Sequence, residues 1–186
     1  MEFSLSDEEK RILLRVARES IKEHLTGTKG NYPEPTDNLM TKCGAFVTLH
    51  KHGNLRGCIG YVIPIKPLYE TVKEMAVSSA FQDPRFPPLR REEFESIEIE
   101  ISALSPLRKI TNINEIKVGT HGILIKKGYK SGLLLPQVAT EQGWDLETFL
   151  TNTCYKAGLH GNCWKESDTE IEIFSAIVFS ERELLK

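Results

Sequence analysis

No apolar run in this 186-residue sequence reaches the roughly 20 residues that cross a bilayer, and no segment repeats another. Neither sign of charge dominates: 24 Lys and Arg stand against 26 Asp and Glu, a formal net charge of −2. A balance this even gives no electrostatic footprint for bulk nucleic acid or an anionic membrane, and neither is expected as a partner. Cysteine is scarce. Cys43, Cys58, Cys154 and Cys163 form no C-x-x-C pair, and the chain is too long for a small disulfide scaffold. They are expected to be reduced thiols of a cytoplasmic protein. Charged Glu2, Asp7, Glu8, Glu9 and Lys10 stand where a secretion signal would place its apolar core.

What is present suits a folded globule. Hydrophobic residues make up 40% of the chain, enough at this length to bury about two-thirds of the unfolded surface. Ser6 and Glu9 form a capping box ahead of Ile12, Leu13, Val16, Ala17, Ile21 and Leu25, a helical stripe that Gly27 would close. The stretch from Thr26 to Lys42 has no periodicity and carries Pro33 and Pro35; it is either a functional loop or a surface wrap over the core. Ala45 to Tyr61 reads as a hairpin turning at His52-Gly53-Asn54. Pro67 opens a helix with Leu68, Val72, Met75, Ala76, Ser79 and Ala80 inward, ending at Asp83-Pro84. Ser96 to Leu104 alternates as a half-buried antiparallel strand. Ile123 to Ile125 and Leu133 to Leu135 flank a glycine-bounded turn. Asp145 caps a helix with Leu146, Phe149, Leu150, Cys154 and Ala157 inward, and Glu170 to Phe179 is a last strand. Hairpins with few helices indicate an α+β fold, mainly antiparallel sheet with flanking helices.

The stretch Leu55-Arg56-Gly57-Cys58-Ile59-Gly60 is the most unusual. Two glycines weaken a strand, and they usually mark a bulge or the close approach of a ligand or another backbone. Arg56 and Cys58, two residues apart, point the same way on an extended strand. A guanidinium beside a thiol favours the thiolate, the nucleophilic form. Register decides the surroundings. A three-residue turn sets Thr48 across from Cys58 and His50 across from Arg56, with the sulfur on the polar face and His50 diagonal to it. A two-residue turn makes Cys58 core. The first register separates apolar from polar residues more cleanly and is preferred.

Arg56-Gly57-Cys58-Ile59-Gly60 with its preceding leucine resembles the hallmark of the AMMECR-type domain family. Gly44-Ala45-Phe46-Val47-Thr48-Leu49 precedes it as in the family. Asp83-Pro84-Arg85-Phe86 follows the second helix, and Leu134-Leu135-Pro136-Gln137-Val138-Ala139 comes before Trp144. The resemblance runs from Gly44 to Phe179 and takes residues 1–186 as a single AMMECR-type domain. It implies a compact α+β domain of two interleaved subdomains with the hallmark near the groove between them, and an association with Memo-like and radical-SAM proteins.

Two functions follow as expectations. One is a thiol-dependent enzyme on a small ligand, with Cys58 as nucleophile, Arg56 stabilising negative charge and His50 as base. The other is a non-catalytic binding or adaptor module whose groove holds an anionic or peptide ligand. Gly57 and Gly60 would give backbone access in either case. Asp83 and Arg85 would orient a carboxylate or phosphate, or simply fix the turn after the helix. Gln137 would stand at a pocket rim, and His160 in a glycine-bounded loop would line a pocket or a plain surface turn. Cys154, His160 and Cys163 lack the spacing of a metal site, so no metal is assigned, and the sequence names no cofactor. Glu98 and Glu100 are a solvated strand face, and Lys126, Lys127, Tyr129 and Lys130 a basic hairpin tip too small to mark an RNA site.

Overall fold

The computed structural model of the chain describes residues 3–185. The chain forms two compact units, one running to Pro106 and resumed at Ile177, the other spanning Leu107–Ala176.

In the first unit, helix α1 (Asp7–Thr26) starts at Ser6. Its hydroxyl accepts the Glu9 N–H, and the Glu9 carboxylate accepts the Ser6 N–H in return. The helix stops at Gly27, in the left-handed region at φ 71°. Leu13, Val16, Ala17 and Ile21 are buried, as are Val72, Met75, Ala76 and Ala80 of α2 (Leu68–Phe81), which packs on α1. The Thr26–Lys42 connection wraps this core: Leu39 is buried in a 3-10 turn, and the Tyr69 hydroxyl donates to the Pro33 carbonyl at 2.7 Å.

Strands β1 (Ala45–Lys51), β2 (Asn54–Tyr61) and β3 (Ile97–Leu104) pair antiparallel with β1 central. One face presents Ala45, Val47, Leu49, Ile97, Ile99, Ile101 and Ala103 to the helices, all buried. The other presents Thr48, His50, Cys58, Glu98 and Glu100, all half-buried.

The second unit holds β4 (Arg108–Ile110), β5 (His121–Lys127), β6 (Lys130–Leu134), α3 (Pro136–Gln142), α4 (Leu146–Lys156) and the first part of β7 (Glu170–Ser180). Strand β5 lies between β6 and β7, and β4 pairs with β7. Asp145 caps α4 by accepting the Thr148 N–H at 2.8 Å. Ile123, Ile125, Phe149, Leu150 and Ile173 form the core beneath. The chain then returns to the first unit through the end of β7 and the short α5 (Glu181–Leu184). The ladders are antiparallel, and the expected α+β architecture with its interleaved units is what forms.

Two expectations are corrected here. Leu135 does not continue the strand: Pro136, which lacks an N–H to lose, occupies the first turn of α3 and starts a helix instead. The four cysteines are not all reduced. Cys154 and Cys163, both fully buried, form a disulfide that ties α4 to the 3-10 turn at Cys163–Lys165. A sequence separation of nine matches no recognisable spacing, and only folding brings the two sulfurs together. The pair that had been weighed as soft metal ligands is therefore spent on itself. Closing so short a loop removes about 2.5 kcal/mol of unfolded-state entropy. Changing both cysteines to alanine should lower stability by about that amount, read by denaturant unfolding under non-reducing conditions, with hydrogen-exchange protection lost first in α4.

Candidate functional site

The hairpin that carries the hallmark resolves its own register. The turn has two residues, His52 and Gly53, both at positive φ (51° and 78°), the conformation that suits tight hairpins. It sets Lys51 opposite Asn54 and His50 opposite Leu55. Beyond it the pairing shifts, so that Leu49 faces Gly57 and Thr48 faces Cys58. Arg56 is the inserted residue of a bulge. The turn expected with three residues has two, and the bulge restores the register that keeps Val47, Leu49 and Ile59 together. Cys58 accordingly stands on the polar face beside Thr48. Arg56 does not sit across from His50.

A bulge re-aims its residue, and Arg56 turns to the segment after α2. Its Nε and Nη2 donate to the two Glu93 oxygens at 3.1 and 3.0 Å, and Nη2 also donates to the Pro87 carbonyl at 2.9 Å. Both side chains are 9% exposed. The Glu93 carboxyl is held well below the usual carboxylate range, first by the Arg56 hydrogen bonds, against the opposing cost of burial, then by Lys51 and the Arg90 N–H. The cation expected to activate the thiol is thus committed to a buried ion pair. Its Nη1, also buried, has no acceptor.

Cys58 is free and half-buried. The Thr48 hydroxyl donates to its sulfur at 3.2 Å. Because β2 is an edge of its sheet, the backbone of Cys58 faces outward, and side chains take the place of a neighbouring strand. Asp83 Oδ2 accepts the Cys58 N–H at 2.9 Å, and Arg85 Nη2 donates to the Cys58 carbonyl at 3.3 Å. Arg85 is itself forked on Asp83 through Nε at 3.0 Å and Nη2 at 2.7 Å. Asp83 is buried, and its carboxyl is held well below the usual range by Arg85 first, then, against burial, by the Cys58 and Arg85 N–H groups. The Arg85 guanidinium is pushed up, chiefly by the Asp83 hydrogen bond and also, against partial desolvation, by the charges of Asp83 and Cys58. Cys43, the other free thiol, is buried in the core and pushed up to about 11.

His50 shares this face, with Nε2 4.0 Å from Glu100 Oε1. The two glycines make room for the protein's own backbone. A Cβ on Gly57 would lie 2.1 Å from the Ser79 carbonyl oxygen of α2, and one on Gly60 2.3 Å from the Ala45 oxygen. Cys58, Arg56, His50, Gly57, Gly60, Asp83 and Arg85 thus all belong to the first unit. Gln137 and His160 belong to the second. Gln137 is exposed in the first turn of α3 rather than at the end of a strand, and His160 Nε2 is bonded to Glu166 at 2.9 Å. At the basic hairpin tip Lys126 pairs with Glu172, and Lys127 with Glu166 and Asp168, while Lys130 donates to the Gly158 carbonyl.

Sequence reasoning placed Thr48 opposite Cys58 without giving it a role, and it missed Glu93 entirely. Strand parity was the signal for Thr48. Glu93 sits in the charged run Arg90-Arg91-Glu92-Glu93, where nothing sets one carboxylate apart from the next.

A family model described as AMMECR1 matches residues 14–179. A protein from Methanothermobacter thermautotrophicus is 46% identical over 185 residues, covering 95% of this chain and 96% of that one. Protein MK0488 from Methanopyrus kandleri is 47% identical over 189 residues, covering 96% and 91%. The crystal structure of the uncharacterized protein PH0010 from Pyrococcus horikoshii superposes with a TM-score of 0.75 at 44% identity, covering 95% of this chain and 93% of that one.

Proposed function

The chain belongs to the AMMECR1 family, and on that premise we propose that it is a thiol-dependent enzyme acting on a small ligand, with Cys58 as nucleophile. One observation carries this reading: the Cys58 backbone is held on both sides by Asp83 and Arg85, while the residue itself is only half-buried, on a polar face of the sheet. A packing thiol needs neither feature. A nucleophile gains from both, because a fixed sulfur meets its substrate at little entropic cost. The Thr48 hydroxyl donates to the sulfur, and Arg85, bonded to the Cys58 carbonyl, takes the place beside the residue that was expected of Arg56. In the reaction the sulfur bonds to an electrophilic carbon, whose leaving group departs with its electron pair. The thiol proton passes to a base, for which His50 on the Glu100 side is the candidate.

The capture of Arg56 by Glu93 favours a second reading, a non-catalytic binding or adaptor module in which the hallmark serves only to build a rigid edge. In either reading the whole chain works as one AMMECR-type domain on a small-molecule or protein ligand. The link to Memo-like and radical-SAM proteins is carried by the family resemblance. Among the described residues no helix is long and apolar enough to cross a membrane. A cytoplasmic location is part of the proposal.

Alkylation of the native protein with iodoacetamide, followed by mass spectrometry, tests the nucleophile. Cys58 should react about tenfold faster at pH 7 than a cysteine in an unstructured peptide, with Cys43 unlabelled until the protein unfolds. A Cys58 no faster than the peptide would leave the binding module as the better reading.

A further inference from the structure

We propose that the ligand received beside Cys58 is an anion, a carboxylate or a phosphate, bound by the outer edge of Arg85; this rests on the reading of Cys58 as the reactive group. The Arg85 guanidinium is fixed on three sides. Asp83 holds Nε and Nη2, the Cys58 carbonyl takes Nη2, and the Phe86 ring lies 5.6 Å from the guanidinium carbon. Its remaining nitrogen, Nη1, has no acceptor among the described residues, and the side chain is 54% exposed. A guanidinium held through Nε and Nη2, with the hydrogens of Nη1 open, is a pre-oriented donor. It loses little entropy when a planar or tetrahedral oxyanion docks on it.

The surrounding charge favours an anion as well. Lys51, Arg56 and Arg90 share the one carboxylate of Glu93, so with the Arg85–Asp83 pair the cations along this edge outnumber the carboxylates two to one. Arg56 is buried, and its Nη1 finds no acceptor among the described residues. Arg56 and Arg85 flank the same Phe86 ring, at 5.9 and 5.6 Å, so this excess lies next to the Arg85 guanidinium, while Glu98 and Glu100 keep to the strand face. An anion bound at Nη1 of Arg85 would lie next to Cys58, whose carbonyl the same guanidinium holds.

Two alkylating agents of nearly the same shape separate charge from reactivity. Iodoacetate carries a carboxylate and iodoacetamide does not. The ratio of their rates at Cys58 should exceed the ratio at a cysteine peptide by about tenfold, as local concentration by a positive field predicts. It should fall to the peptide value in Arg85→Gln and be partly kept in Arg85→Lys, with circular dichroism confirming that each variant folds. A fast Cys58 with the peptide's ratio would overturn the anion and leave the nucleophile standing. Should Cys58 react with neither reagent, inorganic phosphate and acetate are titrated into 15N-labelled protein. Saturable shifts of the Cys58 amide and the Arg85 Nε–H, absent in Arg85→Gln, would support the anion site without the nucleophile, and unmoved signals would overturn it.

Discussion

Glu93→Ala should cost about 3–5 kcal/mol of unfolding free energy, because it strands a buried guanidinium. Arg56 and Glu93 are each 9% exposed, and the carboxylate answers two of the guanidinium's nitrogens at once. Removing it leaves a charge that can neither reach water nor lose its proton. Arg56→Met in the same background should recover a large part of the loss, since an apolar chain of similar length replaces the stranded ion. Chemical denaturation of the two single variants and the double variant measures this directly, and a double variant as unstable as Glu93→Ala would exclude the explanation. Acid should reach the same pair. The carboxyls of Glu93 and Asp83 are both depressed in the folded protein. Their contribution is fully present above the unfolded value near pH 4 and is lost as pH falls through the lower folded values. Thermal stability should therefore drop steeply below about pH 4 in the wild-type protein, and less steeply in Glu93→Gln, which keeps only Asp83 of these two carboxyls to titrate.

The elements whose apolar residues repeat were legible in the sequence, because periodicity is a local property. The α1 stripe from Leu13 to Ile21, the alternation from Ile97 to Ala103 and the cap at Asp145 needed no knowledge of what they pack against. Strand β4, three residues long, is too short to show a period. Helix α3 was hidden because Leu133-Leu134-Leu135 reads as one apolar run until the proline is taken as a helix opener.

The site was half legible for a different reason. Its polar face follows from register, and register followed from keeping Val47, Leu49 and Ile59 on one side. That inference reached the right partner for Cys58 through the wrong turn, since a two-residue turn plus one bulged residue has the same parity as a three-residue turn. The difference falls wholly on Arg56. In a regular strand it would flank the thiol; as the inserted residue it leaves the strand and meets Glu93, 37 positions later. Contacts at that separation depend on how the segment after α2 folds back on the edge of β2, and no local pattern encodes it. Asp83 and Arg85 were recognised from their motif, yet their work as a substitute strand appears only once β2 is known to be an edge.

Gly57→Ala should be the most damaging single-methyl change in the first unit. The glycine is not needed for a positive φ; it is needed because α2 comes in contact with the strand there. The added carbon would sit 2.1 Å from the Ser79 carbonyl oxygen and 3.1 Å from its carbon, both backbone atoms of a helix that cannot swing aside as a side chain would. Either the last turns of α2 or the strand must move. Overpacking of this kind costs about 3 kcal/mol, well above the fraction of a kcal/mol that alanine returns by restricting the unfolded chain. Gly53→Ala makes the matching control. Its methyl would meet nothing within 4 Å, and only the positive φ of 78° opposes it, at about 1 kcal/mol. The two variants separate further at the thiol. The strand shift forced at Gly57 passes to the next residue and loosens the Asp83 contact with the Cys58 N–H, so alkylation of Cys58 should change in Gly57→Ala and stay at the wild-type rate in Gly53→Ala. Equal denaturation midpoints for the two would mean that the helix yields freely. In that case the glycine of the hallmark would have to be explained by something other than the approach of α2.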